Sequence, residues 1–332
     1  MLMLKKTIAA LSLLSILAAC QNDENPSQPE PKPRQDINLT RAEQEFMDKG
    51  TDFAFRFFDQ VCSTEKEKPN VFVSPLSASL CLSMITNGAT DNTLAEMQDV
   101  LGFPANTFSL DDLNNYNQKL TSALLDLDNT TQLGIANSIW IEEGFKVYDS
   151  FVDVNKKMYD AQVQELDFTS PTAKDVINQW CATQTNNCIK EVIQEIPADA
   201  RMYLINALYF KGIWKSQFDK SATGQDNFTN VDGSQQKVAM MNQTATFNYT
   251  QTDDFSIAEL PYGNEAFSMV ILLPSGDKTL DESLPSLNYE NWKQWSKNMV
   301  GKELQIKLPR FKVEYDKELE EDMIAMGMKD AF

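Results

Sequence analysis

The strongest constraint on how this chain can fold is the run Asn206-Ala-Leu-Tyr-Phe-Lys-Gly-Ile-Trp214, taken with the residues just before it. Alternate positions are apolar in both phases: Met202, Leu204, Leu208 and Phe210 in one, Tyr203, Ile205, Ala207 and Tyr209 in the other. A strand of that pattern is covered on both faces and is expected at the centre of a sheet. Asn206 interrupts the first phase. An amide buried among such side chains costs roughly 1–3 kcal/mol unless its hydrogen bonds are made, so Asn206 is expected to belong to an internal polar contact.

The partners expected for it lie far upstream, in Asn70-Val-Phe-Val-Ser-Pro-Leu-Ser77. Pro75 follows a serine and suits the first turn of a helix, with Ser74 as N-cap. The helix that follows is small or apolar nearly all round, which marks it as buried. Ser74, Ser77 or their neighbouring backbone should meet the Asn206 amide.

Composition removes whole classes of chemistry. The chain has no histidine, which excludes Ser-His-Asp and Cys-His catalysis and His-containing zinc sites such as H-E-x-x-H. With 48 acidic and 29 basic residues the net charge is −19, a balance unsuited to neutralising phosphates, so no nucleic-acid partner is expected. Carboxylate pairs such as Asp111-Asp112, Glu142-Glu143 and Glu320-Glu321-Asp322 read as solvated polar faces; an acid/base hydrolase site has no further support. Of the five cysteines, Cys81 falls in the apolar helix, and Cys62, Cys181 and Cys188 show no metal or disulfide spacing, so free thiols are expected. No cofactor is implied.

Lys5 and Lys6 precede an apolar run from Ile8 to Ala19, too short to span a bilayer and suited to a signal peptide. It ends Leu17-Ala-Ala-Cys20, which resembles a bacterial lipobox and implies cleavage before Cys20 and its lipidation. An ordinary secretory peptide is the alternative. Residues 1–19 are thus read as leader and 20–40 as a Pro-rich polar tether. Residues 41–332 read as one domain. Gln21 stands where aspartate would signal inner-membrane retention. The expected location is the outer membrane or cell surface, or else the extracellular or periplasmic space, with membrane contact through the lipid alone.

The Ser74–Ser77 and Asn206–Trp214 segments, in this order, resemble the opening of helix B and strand 3A of the serpin family. Further matches follow in family order: Leu133-Gly-Ile-Ala-Asn-Ser-Ile-Trp140, Val238-Ala-Met-Met241, Glu259-Leu-Pro-Tyr262, Met269-Val-Ile-Leu-Leu-Pro274, Leu308-Pro-Arg-Phe311 and Met326-Gly-Met-Lys-Asp-Ala-Phe332. The resemblance implies an α+β domain in which a large mixed sheet A and sheets B and C are surrounded by eight or nine helices. It also implies an inhibitor of serine or possibly cysteine endopeptidases rather than an enzyme. Such a protein acts by cleavage of a reactive loop and insertion of that loop into sheet A.

Ser74, Ser77 and Asn206 match the family's shutter, and Trp214 its breach; each is equally readable as plain core packing. The helix from Asp111 to Leu127 matches the heparin-binding helix of some members. Here Lys119 faces Asp111, Asp112, Asp126 and Asp128, so no heparin response is expected. The matching residues stop at Phe332, before the family's strand 5A, hinge, reactive loop and last strands. The expectation from that is a truncated copy, unable to inhibit alone, or a short form completed by a partner chain. A surface lipoprotein using the scaffold only for binding is the alternative function.

Local patterns complete the reading. Helices are expected from Phe46 to Val61, along the row Leu113, Tyr116, Leu120, Leu124 and Leu127, from Tyr148 to Tyr159, and from a Ser170-Pro171 cap and opening on through Val176, Ile177 and Trp180 to Val192 and Ile193; Gln132 to Ile141 is expected as a strand. A bulge is expected at Pro309-Arg310, where the alternation changes phase, and a helix stop at Gly327. Asn187 is expected in a left-handed turn.

Overall fold

The computed structural model describes residues 30–68 and 70–332; the leader and Cys20 lie outside them. Residues 30–40 form neither helix nor strand, and Leu39 packs against the core. Helix α1 (Arg41–Thr64) opens on a capping box between Thr40 and Glu43 and buries Phe46, Phe53, Phe57 and Val61. Helix α2 (Pro75–Thr86) starts as its sequence predicts, with Ser74 as N-cap accepting from the Ser77 N–H and Pro75 in the first turn. Helices α3 (Asp91–Leu101) and α4 (Leu110–Asp126) follow; Leu113 and Tyr116 of α4 join the same core as α1.

Strand β1 (Gln132–Glu142), helix α5 (Asp149–Tyr159), strand β2 (Gln162–Leu166), helix α6 (Ala173–Gln184) and strand β3 (Met202–Lys211) build a three-stranded sheet and its cover. β1 lies in the middle, parallel to β2 and antiparallel to β3. A second sheet holds β4 (Gly224–Thr229), β5 (Gln235–Gln251), β6 (Phe255–Pro261) and β7 (Ser268–Pro274). Helices α7 (Leu280–Ser283) and α8 (Tyr289–Lys297) precede β8 (Val300–Pro309), which pairs with the long β5. Helix α9 (Glu320–Met326) ends at Gly327, whose φ of +127° lies in a region that L side chains rarely adopt. The mixed helix-and-sheet architecture read from the sequence is present, with nine helices and two sheets among the described residues.

β3 departs from expectation. It is an edge strand among the described residues, pairing only with β1. Its apolar residues on both sides are nonetheless explained. Met202 and Leu204 pack with Leu76, Leu80, Cys81 and Met84 on the α2 side. Tyr203 and Ile205 pack with Trp140, Ile177 and Ala200 on the α6 side. A doubly apolar run therefore reports helices on both faces and says nothing about how many strand neighbours there are.

Three other expectations are corrected. Ser170 and Pro171 lie in a turn, and α6 starts at Ala173 after Thr172, whose side chain makes no cap. Residues beyond Gln184 leave the helix through Asn186 and Asn187, both left-handed (φ +49° and +60°); Asn187 thus fits its expectation. Val192 and Ile193 are held instead by their N–H groups donating to the side-chain oxygen Oδ1 of Asn178. At Pro309-Arg310 the strand simply ends; no bulge carries it on to Tyr315, whose burial comes from the helical core.

Candidate functional site

The polar residues singled out above lie where α2 backs onto the β1–β3 pair. Ser74 and Ser77 satisfy one another, with Ser74 Oγ donating to Ser77 Oγ at 3.0 Å. They do not reach the Asn206 side chain. That amide donates instead to Asn137 Oδ1 at 2.8 Å, on the residue directly opposite in the antiparallel register. The link from Asn206 to α2 is through its backbone, which meets the Cys81 thiol. The expected serine–asparagine pairing is thus replaced by an asparagine pair across the sheet.

Asn137 is the residue that sequence reasoning passed over, although the motif Leu133–Trp140 contains it. It interrupts the apolar row Ile135, Ile139 and Ile141 just as Asn206 interrupts its own row. From Asn137 the network runs on. Its Nδ2 donates to the Tyr159 carbonyl at 2.7 Å. Tyr159 Oη donates to Asn114 Oδ1 at 2.7 Å and accepts from Asn117 Nδ2 at 3.3 Å. Asn114 Nδ2 donates to Asn87 Oδ1 at 2.8 Å, at the end of α2. Burial pushes the Tyr159 hydroxyl up to about 12, against the opposing pull of its hydrogen bonds, so it remains a neutral donor. A chain of neutral amides thus ties the β1–β3 pair to α4. One atom is left out: Asn206 Oδ1 is buried and has no hydrogen-bond partner.

At the far end of β3, Trp214 is buried and stacks on Tyr262, with ring centroids 4.3 Å apart and 16° between the planes. The two residues also form an isolated bridge. A Cβ on Gly212 would lie 2.7 Å from the Tyr262 ring, so only glycine admits this approach. Beside it, the Asp128 carboxylate is gripped by the Thr130 N–H and hydroxyl, the Thr131 hydroxyl and the Asn264 N–H, at 2.7–3.3 Å. This latch joins the loop after α4 to the turn between β6 and β7.

The carboxylates singled out above have structural contacts. Asp112 completes the capping box of α4, and Glu142 accepts from the Phe168 N–H. Asp322 corrects its expected exposure: it is fully buried, 2.9 Å from Lys317 Nζ and accepting from the Thr64 hydroxyl at 2.8 Å. Lys119 pairs with Glu43 at 2.7 Å. Among the described residues no group of metal-ligating side chains is assembled, and no helix is long and apolar enough to cross a membrane. Cys62, Cys81, Cys181 and Cys188 are free thiols; burial pushes Cys81 and Cys181 up to about 12 and Cys62 to about 11, which favours the neutral thiol in those three.

The model of the family described as serpin (serine protease inhibitor) matches residues 48–332. The chain belongs to the serpin family. An uncharacterized serpin-like protein of Methanosarcina acetivorans is 33% identical over 287 residues, covering 84% of this serpin and 66% of that protein. Human Serpin B3 is 31% identical over 302 residues, covering 85% of this chain and 77% of its own. This serpin therefore spans about two thirds to three quarters of the length of these relatives.

Among solved structures, the native state of the thermophilic serpin tengpin matches with a TM-score of 0.79 at 29% identity, covering 92% of this chain and 76% of that one. Reactive-loop-cleaved human thyroxine binding globulin matches with a TM-score of 0.82 at 23% identity, covering 87% and 85%, which is a likeness of fold alone. The family is one of inhibitors rather than enzymes.

Proposed function

We propose that this serpin inhibits serine- or cysteine-type endopeptidases outside the cytoplasm, held at an outer membrane or cell surface by a lipid on Cys20. The observation that carries the inhibitor reading is the match of residues 48–332 to the serpin (serine protease inhibitor) family. β3, which the resemblance identifies with strand 3A, has helices over both faces. In the mechanism that the family resemblance implies, a protease-cleaved loop adds as an extended strand to the sheet that holds β3. In that resemblance Ser74, Ser77 and Asn206 match the shutter and Trp214 the breach, and the roles proposed for them follow from the match.

The test uses the protein isolated from its host, incubated with trypsin-, chymotrypsin-, elastase- and papain-like proteases. An SDS-stable band at the summed mass, with matching loss of protease activity, is expected. Proteases left fully active while the serpin is only nicked would overturn inhibition and favour a non-inhibitory surface scaffold. The anchor is tested separately: Cys20→Ala should abolish incorporation of a labelled fatty acid, and undiminished incorporation would refute it.

A further inference from the structure

The segment between the proposed lipid and the domain carries its own contacts. The Asn129 side chain grips the backbone of Glu30-Pro31-Lys32 from both directions. Its Oδ1 accepts from the Lys32 N–H at 2.8 Å, and its Nδ2 donates to the Glu30 carbonyl at 3.0 Å. Lys32 Nζ lies 2.7 Å from Asp126 Oδ1. An asparagine used in this way reads extended backbone as a neighbouring strand would, and Pro31 and Pro33 hold that backbone extended beforehand, so little conformational freedom is lost on docking.

The charge of α4 gives a second reason for the contact. Asp111 and Asp112 stand at its N-terminus, where a helix dipole favours them, but its last turn has no basic residue and ends at Asp126. Lys32 supplies the missing cation from outside the helix. Eleven residues further on, Glu43 pairs with Lys119 of the same helix, and Leu39 enters the core between these two points. Residues 30–43 are therefore fastened beside α4 at three places.

We infer that this docked segment fixes which end of the domain faces the lipid surface. The inference rests on the anchor at Cys20. Twenty residues separate Cys20 from the start of α1, but docking at Glu30 halves the free length, to at most roughly 33–36 Å when fully extended. The docking point, Asn129, precedes Gln132, which pairs with Lys211 at one end of the β1–β3 pair. The other end, at Glu142, is about 33 Å further along the strand. Only a tether stretched back along the whole pair could bring the Glu142–Met202 end to the bilayer; at anything short of full extension the Gln132–Lys211 end, with the Asp128 latch and the Trp214–Tyr262 stack, is the membrane-proximal one. The partner surface is a bilayer, approached end-on.

Two measurements test this and separate it from the anchor itself. In residues 20–332 produced without the leader and carrying Cys20→Ser, hydrogen exchange at the Lys32 amide should be about fivefold slower than in the same protein with Asn129→Ala. Equal rates would overturn the docking whatever the fate of the lipid. In the lipidated protein on phosphatidylethanolamine–phosphatidylglycerol vesicles, an encoded fluorophore at Lys211 should transfer energy to a headgroup acceptor more efficiently than one at Glu143. Asn129→Ala should shrink that difference. Equal transfer from both ends, with Lys32 protected, would overturn the orientation while leaving the docking and the anchor in place.

Discussion

Removing the Asn137 side chain is the sharpest perturbation of the β1–β3 pair. Asn137 is 5% exposed and makes two hydrogen bonds, accepting from Asn206 and donating to the Tyr159 carbonyl. Asn137→Ala leaves the Asn206 Nδ2 and the Tyr159 carbonyl without those partners. At about 1–3 kcal/mol for each orphaned group, less whatever water recovers, the expected loss is about 2–4 kcal/mol. Asn206→Ala should cost less, about 0–2 kcal/mol. It breaks one bond but also removes Asn206 Oδ1, which is already buried without a partner. The double variant should be hardly worse than Asn137→Ala alone, giving a coupling about as large as the Asn206→Ala loss itself, about 0–2 kcal/mol. Urea unfolding followed by circular dichroism, with the four midpoints compared at a common slope, measures this. Additive single losses, or a larger loss for Asn206→Ala, would show that the pair is not the contact that matters there.

The Asp128 latch gives a pH signature. Burial raises its carboxyl, but hydrogen bonds from Thr130, Thr131 and Asn264 outweigh that and hold it below the usual 3.8. A depressed value means that its stabilisation is whole above about pH 4 and fades as pH falls through the lower folded value. Asp128→Ala should therefore unfold more easily at pH 7, by about 2–4 kcal/mol for the charge-assisted bonds; the gap should close towards pH 2, and a gap independent of pH would count against the latch. Gly263→Ala should destabilise by more than about 2 kcal/mol, because a Cβ there would run into Thr130 Oγ1 and Asp128 Oδ2, at a φ of +39°. Its cost should drop when Asp128 is also alanine, and unchanged thermal melting of the single variant would refute the close contact.

The parts of the fold legible in the sequence are those set by local periodicity. The rows of α1 and α4, the Ser74-Pro75 start of α2, the strand at 132 to 142 and the Gly327 stop all follow from spacing and capping chemistry. The failures share a cause. Asn137 lies 69 residues from Asn206, and Asp322 lies 258 from Thr64; no local pattern tells a buried polar residue with a distant partner from an exposed one. Asp322 in particular reads as one more acid in a charged first turn. The position of β3 at an edge was hidden for a different reason, because alternation records what covers the faces and not what lies beside the strand. The Glu30–Lys32 contact escaped because a proline-rich polar stretch reads as spacer unless its acceptor is known.

The facing asparagines also act as a ruler during strand pairing. A slip of one residue between β1 and β3 would exchange the two faces of one strand and mismatch the side chains fitted against α2 on one side and α6 on the other. A slip of two is the dangerous error, since it keeps each apolar side chain on its own face. In the native alignment Asn137 faces Asn206; shifted by two, Asn137 would face Leu204 or Leu208, and Asn206 would face Ile135 or Ile139. Both amides would then be stranded among aliphatic neighbours, at roughly 1–3 kcal/mol each, so the misaligned pairing would be penalised although its greasy contacts are nearly as good. One polar pair in an oily sheet thus tells two otherwise interchangeable ladders where to start.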